Sequence, residues 1–245
     1  MNLGILACGN STPEEFYRLK ALPELRRATT NMLAVSAAIE RLAPKPEALA
    51  GSTDLGVVIG TSHGELEPTV EFLRELGATR TARPFLFQNS LHNATLGFLT
   101  QRYALRGAGF TVSRRWHSGE DALELAADLL HTGTERVLVI GVDGLPPGLE
   151  GALAETYPQG TRLRGGAGAL LLGLPEKFPD RCLAVIDSLE FLPPASAPSP
   201  VGQVSYDSDA VELLAQSPQR KPLPDFLDLV KPDGSATHVR FRTTK

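Results

Sequence analysis

The chain has 245 residues, 42% hydrophobic and 21% charged, with a formal net charge of −4. That is the balance of a globular protein with room for a sizeable core. It gives no basic excess for nucleic acid or an anionic membrane surface.

Residues 2–8 (NLGILAC) read as a short strand, followed by a polar, proline-punctuated stretch to about Arg27. The segment TTNMLAVSAAIERL places Met32, Val35, Ile39 and Leu42 on one helical stripe that Pro44 and Pro46 end. LGVVIG (55–60) is a buried strand running into the turn TSHG, and a helix carrying Val70, Leu73 and Leu76 follows to Gly77. PFLFQNSLHNATLGFLTQRYAL holds one further helix, with Leu91, Ala94, Phe98 and Leu105 on a stripe. FTVSR is the next strand.

Ser118 then opens a helix, with Asp121 three residues on in a capping-box pattern. The positions Ala122, Leu123, Leu125, Ala126, Ala127, Leu129 and Leu130 make that helix apolar nearly all round, as in a helix covered on several sides. RVLVIGV (136–142) is a strand buried on both faces. GAGALLLG (166–173) and CLAVIDSLEF (182–191), joined by a short polar turn, read as antiparallel neighbours. LPPASAPSP begins an extended connector over 192–204. In the region 205–245, DAVELLAQ and PDFLDLV read as short helices and THVRFRTT as a strand. The order implies a layered α/β/α sandwich with a mixed sheet.

Cys8 and Cys182 are far apart and show no metal-ligand spacing, which excludes a disulfide framework and a zinc motif and fits a reducing compartment. MNLGILACGNS lacks the basic lead and long apolar run of a signal peptide, and no run reaches the length of a membrane span, so a cytoplasmic protein is expected.

The text GFTVSxxxxSGxxALxxAxxLLxxGxxxxVLVxGVD resembles the β-ketoacyl synthases of the thiolase-like superfamily. LGVVIGTSHG, FQNSLHNATLGFLTQRYALRG and GGAGALLLG resemble three further stretches of that family in the same order, so the match spans roughly residues 50–190. The wording SLHNATLGFL is similar to a short, chain-length-factor-like branch of aryl-polyene and type II polyketide systems. The resemblance implies a single N-terminal half (1–191) of the ketosynthase pseudo-duplication, then the connector and a C-terminal extension that packs on the core or on a partner.

In an active synthase a cysteine stands two residues before the Ser-Gly, where the helix N-terminus favours its thiolate. Here that position is Trp116, whose indole offers one N–H donor and no nucleophile. The second-half residues that drive decarboxylation have no counterpart among His63, His92, His117, His131 and His238. The resemblance therefore implies a pseudo-enzyme without catalytic residues, metal or cofactor.

Trp116 reads either as a plug in a partner's acyl tunnel or as an aromatic filling a vanished pocket. His117 and Ser118 are the rest of the nucleophile-turn remnant; as sequence neighbours they rarely face each other, and Ser118 suits a helix cap. Asn89, His92 and Asn93, with Phe110, Val112, Arg114 and Arg115 on and after the strand, are candidates for an interface or pocket. GTSHGE (60–65) lacks the lysine and spacing of a phosphate loop. Asp143 closes VLVIGVD where α/β sheets place functional residues, or serves a turn before GLPPG.

An edge strand at FTVSR would pair with the same strand of a second subunit, and absence of the second half would leave apolar surface open. Expected partners are an active ketosynthase subunit or a second copy, with acyl carrier protein as a further candidate and no nucleic acid or membrane. The alternatives are a stand-alone thioester hydrolase or acyltransferase, and a homodimeric acyl- or carrier-binding module.

Overall fold

The computed structural model describes residues 1–43, 49, 52–145, 148–155, 157, 165–194, 209–216, 218 and 225–242. The chain runs β1 (Leu3–Asn10), α1 (Pro13–Lys20), α2 (Thr30–Glu40), β2 (Leu55–Gly60), α3 (Leu66–Thr79), α4 (Pro84–Asn89), α5 (Ala94–Arg102), β3 (Gly109–Val112) and α6 (Ser118–His131). It continues through β4 (Arg136–Asp143), α7 (Glu150–Ala154), β5 (Gly166–Gly173), β6 (Ala184–Leu192), α8 (Asp209–Gln216), β7 (Phe226–Val230) and β8 (Ala236–Arg242). The strands form one mixed sheet in the order β3-β2-β4-β5-β1-β6-β8-β7. β2 is parallel to both β3 and β4, and every other neighbouring pair is antiparallel.

Alternation along the strands builds a core on each face, giving the α/β/α sandwich. On β4, Val137 and Val139 point to the layer of α6 and α8, while Leu138, Ile140 and Val142 point to the layer of α1, α2 and α5. β5 divides the same way, with Leu170 and Leu172 against Ala169 and Leu171.

Several expectations are corrected. GAGALLLG and CLAVIDSLEF are not neighbours, because β1 lies between β5 and β6 and pairs antiparallel with both. Their link is longer than a hairpin loop, contains the short helical turn Pro175–Lys177, and steps over β1, where Leu183 donates to the Ile5 carbonyl (2.7 Å). PDFLDLV forms strand β7: Leu227 and Leu229 alternate with Asp228, and the turn through Asp233 and Gly234 (φ 84°) returns the chain as β8.

The stretch before Arg27 contains α1, started by Thr12, with Pro13 in the first turn and a capping box to Glu15. The single helix expected from PFLFQNSLHNATLGFL is two, α4 and α5, and Leu91 lies in the turn between them at 42% exposure. α2 is buried on all sides from Thr30 to Ile39, a broader burial than its expected stripe. Leu73 of α3 is 58% exposed. α6 keeps an outward stripe of Glu124, Asp128 and His131, so the described part of that face is polar and not bare core.

DAVELLAQ is the expected helix, α8, packed against β1, β4 and β5. The β7–β8 turn is tied to α6 by a buried ion pair, Lys231 Nζ to Glu120 Oε1 at 2.6 Å, with Thr237 Oγ1 donating to the same oxygen (3.0 Å). Pro44, Pro46 and the connector beyond Pro194 lie outside the described residues.

Candidate functional site

The parallel strands β2, β3 and β4 bring their C-terminal ends together, the position at which open α/β sheets present functional groups. β2 ends at Gly60, where a Cβ would stand 2.5 Å from the Ser118 carbonyl oxygen. Glycine there lets the start of α6 press against the strand end.

Between β3 and α6 the chain makes the tight turn Arg115–His117, with Arg115 in the left-handed region at φ 47°, costly for a residue with a side chain. Ser118 fastens this turn. Its hydroxyl accepts from the Arg114 N–H (2.9 Å) and donates to the Arg115 carbonyl (2.7 Å), and the residue is fully buried. The expected cap is thereby corrected: the residue before the helix is His117, with no side-chain capping bond, because the Ser118 hydroxyl is spent on the turn behind it. Asp121 pairs with Arg114 (2.9 Å). The same arrangement leaves Ser118 without the exposure that attack on a thioester requires.

Trp116 and His117 are half-buried and look in different directions. The His117 ring meets Phe191 edge-on at 5.1 Å, beside an open cavity of about 470 Å³ lined by Arg114, Glu120, Glu124, Leu189 and Thr237. Burial pulls its imidazole below the ordinary value; Lys231 and Arg114 add to this and Glu120 opposes it.

Trp116 instead packs on Tyr157, ring centroids 6.3 Å apart and tilted 51°. The Tyr157 hydroxyl is 2.5 Å from His63 Nε2, and His63 Nδ1 is 3.4 Å from Asp143 Oδ1. Asp143 accepts from the Thr61 hydroxyl (2.9 Å) and from the backbone N–H groups of Ser62 (3.0 Å) and His63 (2.9 Å). Burial pushes its carboxyl up, but His63 and those N–H groups outweigh burial and hold it below the usual carboxylate range. Asn31 clasps the same strand ends, donating to the Gly64 carbonyl (2.8 Å) and accepting from the Gly144 N–H (2.6 Å).

A second buried carboxyl, Glu65, accepts from the Thr29 hydroxyl (2.9 Å) and from Thr95, tying α2 to α5. Burial, with Glu67 adding, pushes it up to about 7 against the pull of those hydroxyls.

The structure gathers Arg114, Arg115, Trp116, His117 and Ser118 into one turn, with Phe110 and Val112 on the strand leading to it. Asn89 and Asn93 lie apart, on an open groove of about 450 Å³ with Met32, Phe85, Leu91 and Phe98. His92 lies against Gly64, where a Cβ would fall 2.7 Å from its ring. β3 is an edge strand with Phe110 41% exposed. The residues that sequence reasoning did not join are His63, Asp143 and Tyr157. The usable signal was GTSHG and GVD closing two adjacent parallel strands. Among the described residues no cluster of His, Cys, Asp and Glu could hold a metal ion, and no helix is long and apolar enough to cross a membrane.

The sequence profile of the β-ketoacyl synthase N-terminal domain matches residues 9–171. The chain belongs to that family. Its fold is shared with solved ketosynthase-like chains. One is from the complex of the ketosynthase ApeO with its chain length factor ApeC from Xenorhabdus doucetiae (19% identity, TM-score 0.69, covering 98% of this chain and 99% of that one). Another is from the ishigamide ketosynthase/chain length factor (18%, TM-score 0.76, 100% of both chains). A third is from the type II polyketide synthase complex AntDE:AntF, an acyl carrier protein with its ketosynthase bound to the hexaketide (13%, TM-score 0.71, 99% of both). No curated protein matches the sequence. In this ketosynthase-like chain, the turn at which the family resemblance implies a nucleophilic cysteine carries an indole braced by a phenol.

Proposed function

We propose that this chain is a non-catalytic ketosynthase-like subunit that pairs with an active β-ketoacyl synthase and shapes the cavity in which its acyl chain grows. The setting is polyketide, aryl-polyene or fatty-acid synthesis. The reading is carried by Trp116, which stands where the family resemblance implies the nucleophile and is packed against Tyr157 with no nucleophilic atom of its own. The partner supplies the cysteine and the decarboxylating groups. The unpaired edge of β3 and the apolar side chains exposed along 73–110 (Leu73, Phe85, Phe87, Leu91 and Phe110) support an interface there. Arg114 and Arg115 lie beside that edge as interface cations. Residues 1–191 are the ketosynthase-like unit and 205–245 the extension that packs on it.

The pairing is tested by co-expressing the chain with an active ketosynthase and sizing the product by light scattering. A stable one-to-one complex is expected. A self-dimer that ignores the synthase contradicts the pairing.

A further inference from the structure

We infer that Asp143, His63 and Tyr157 form a positioning chain that sets the orientation of Trp116, and so determines product specificity through it. This rests on the chain-length reading of Trp116. Asp143 closes a strand in the interior of the sheet, is fully buried, and is ligated by the Thr61 hydroxyl and two consecutive backbone N–H groups. The loop carrying His63 is thus bonded to that carboxylate through its own main chain. A second link holds it closed, since Gly64 N–H donates to the Thr61 hydroxyl (3.0 Å).

The Asp143 carboxylate, 3.4 Å from His63 Nδ1, favours by its charge the tautomer of His63 with the proton on Nδ1. Nε2 is then left with a lone pair, and the Tyr157 hydroxyl donates to it. The phenol ring is fixed at one end by that bond and lies against Trp116, the two rings tilted 51° at a centroid separation of 6.3 Å.

The backbone under Trp116 has no slack. Arg115 before it is in the left-handed region and Ser118 after it locks the turn, so only the torsions of the indole remain to be set. Tyr157 is the wall that sets them. In this arrangement a residue far from Trp116 in sequence, on the end of another strand, decides how much of the neighbouring space the indole occupies.

Trp116 is the sole tryptophan of the chain, so emission excited at the red edge reports this residue alone. The test compares Tyr157→Phe, which keeps the ring and removes the hydroxyl, with His63→Ala and the double variant. Each is first checked for native circular dichroism and cooperative melting. Tyr157→Phe is expected to red-shift the emission and raise the Stern–Volmer constant for acrylamide. His63→Ala should produce the same shift, and the double variant no more than either. In the reconstituted pair, each should move product length in the direction of Trp116→Ala, by less.

Unchanged emission and quenching in a folded Tyr157→Phe variant overturns the inference. So does additivity in the double variant, which would mean that the two residues act separately. If the emission shifts but Trp116→Ala leaves the products unaltered, the positioning chain stands and the chain-length reading fails. If Trp116→Ala changes the products while Tyr157→Phe changes neither emission nor products, the reading stands and the positioning chain falls.

Discussion

The loop from Thr61 to Glu65 has a buried carboxyl on each side of it, and the two are ionised by different rules. Asp143 meets an imidazole and two backbone N–H donors, and these overcome burial. Glu65 meets mainly the hydroxyls of Thr29 and Thr95, with the carboxylate of Glu67 nearby, and burial prevails. Burial alone therefore does not set the charge of a carboxyl; the kind and number of donors aimed at it do. The Asp143 side is organised as a fixed negative post behind the turn of Trp116. The Glu65 side is a strut that joins α2 to α5 and sits close to its own titration point.

Removing the post should cost most. Asp143→Ala strands the Thr61 hydroxyl and two N–H groups in the interior, with an expected loss of about 3–5 kcal/mol in denaturant unfolding. An unfolding midpoint within error of the parent would show that those donors are satisfied elsewhere.

The strut is tested by pH. A carboxyl whose folded value is raised from 4.5 to about 7 binds more protons folded than unfolded between those limits. Stability from this group is therefore fully present below about 4.5, and is lost as pH rises towards 7. Glu65→Gln, which stays neutral, accepts from one threonine through its carbonyl oxygen and can donate its amide to the hydroxyl oxygen of the other, should gain about 3 kcal/mol over the parent above pH 7. Near pH 4.5 it should gain nothing. Asp143 has the opposite sign, since a depressed carboxyl gives stability that is present above its ordinary value and lost as pH falls through the folded one. Parallel melting curves of Glu65→Gln and parent across pH 4–8 would refute the assignment of Glu65.

The smallest of these effects concerns the turn itself. Ser118→Ala leaves one N–H and one carbonyl without their hydroxyl partner and should cost about 1 kcal/mol. A stability loss of that order, with an altered Trp116 emission, is expected; loss of a thioesterase activity would revive the serine-enzyme reading.

Much of the architecture was legible because unbroken apolar runs mark β2, β4 and β5 as strands covered on both faces, and because the text around Trp116 resembles the family. β5 and β6 are close in sequence but not adjacent in the sheet, so chain proximity alone suggests a pairing that does not form. β1, apolar on both faces, needed an interior place in the sheet and took the one between them. The strand at 226–230 was obscured by its similarity to a short amphipathic helix, although the Asp-Gly turn before THVRFR was the hairpin signal. His63, Asp143 and Tyr157 share no local pattern. Strand order alone brings the first two together, and nothing periodic announces the third. Ser118 looked like a cap because the capping box is a sequence pattern, whereas the strained residue behind it claims the hydroxyl.

On the proposed reading, the turn at Trp116 is built around an indole that shapes a partner's product without reacting. The most direct measurement is the product-length distribution of the reconstituted pair with Trp116→Ala. A shifted distribution is expected, with total turnover and complex stability retained and with all activity lost when the partner's cysteine is replaced. An unchanged distribution from a stable complex, or acyl transfer by this chain in the absence of a partner, would contradict it.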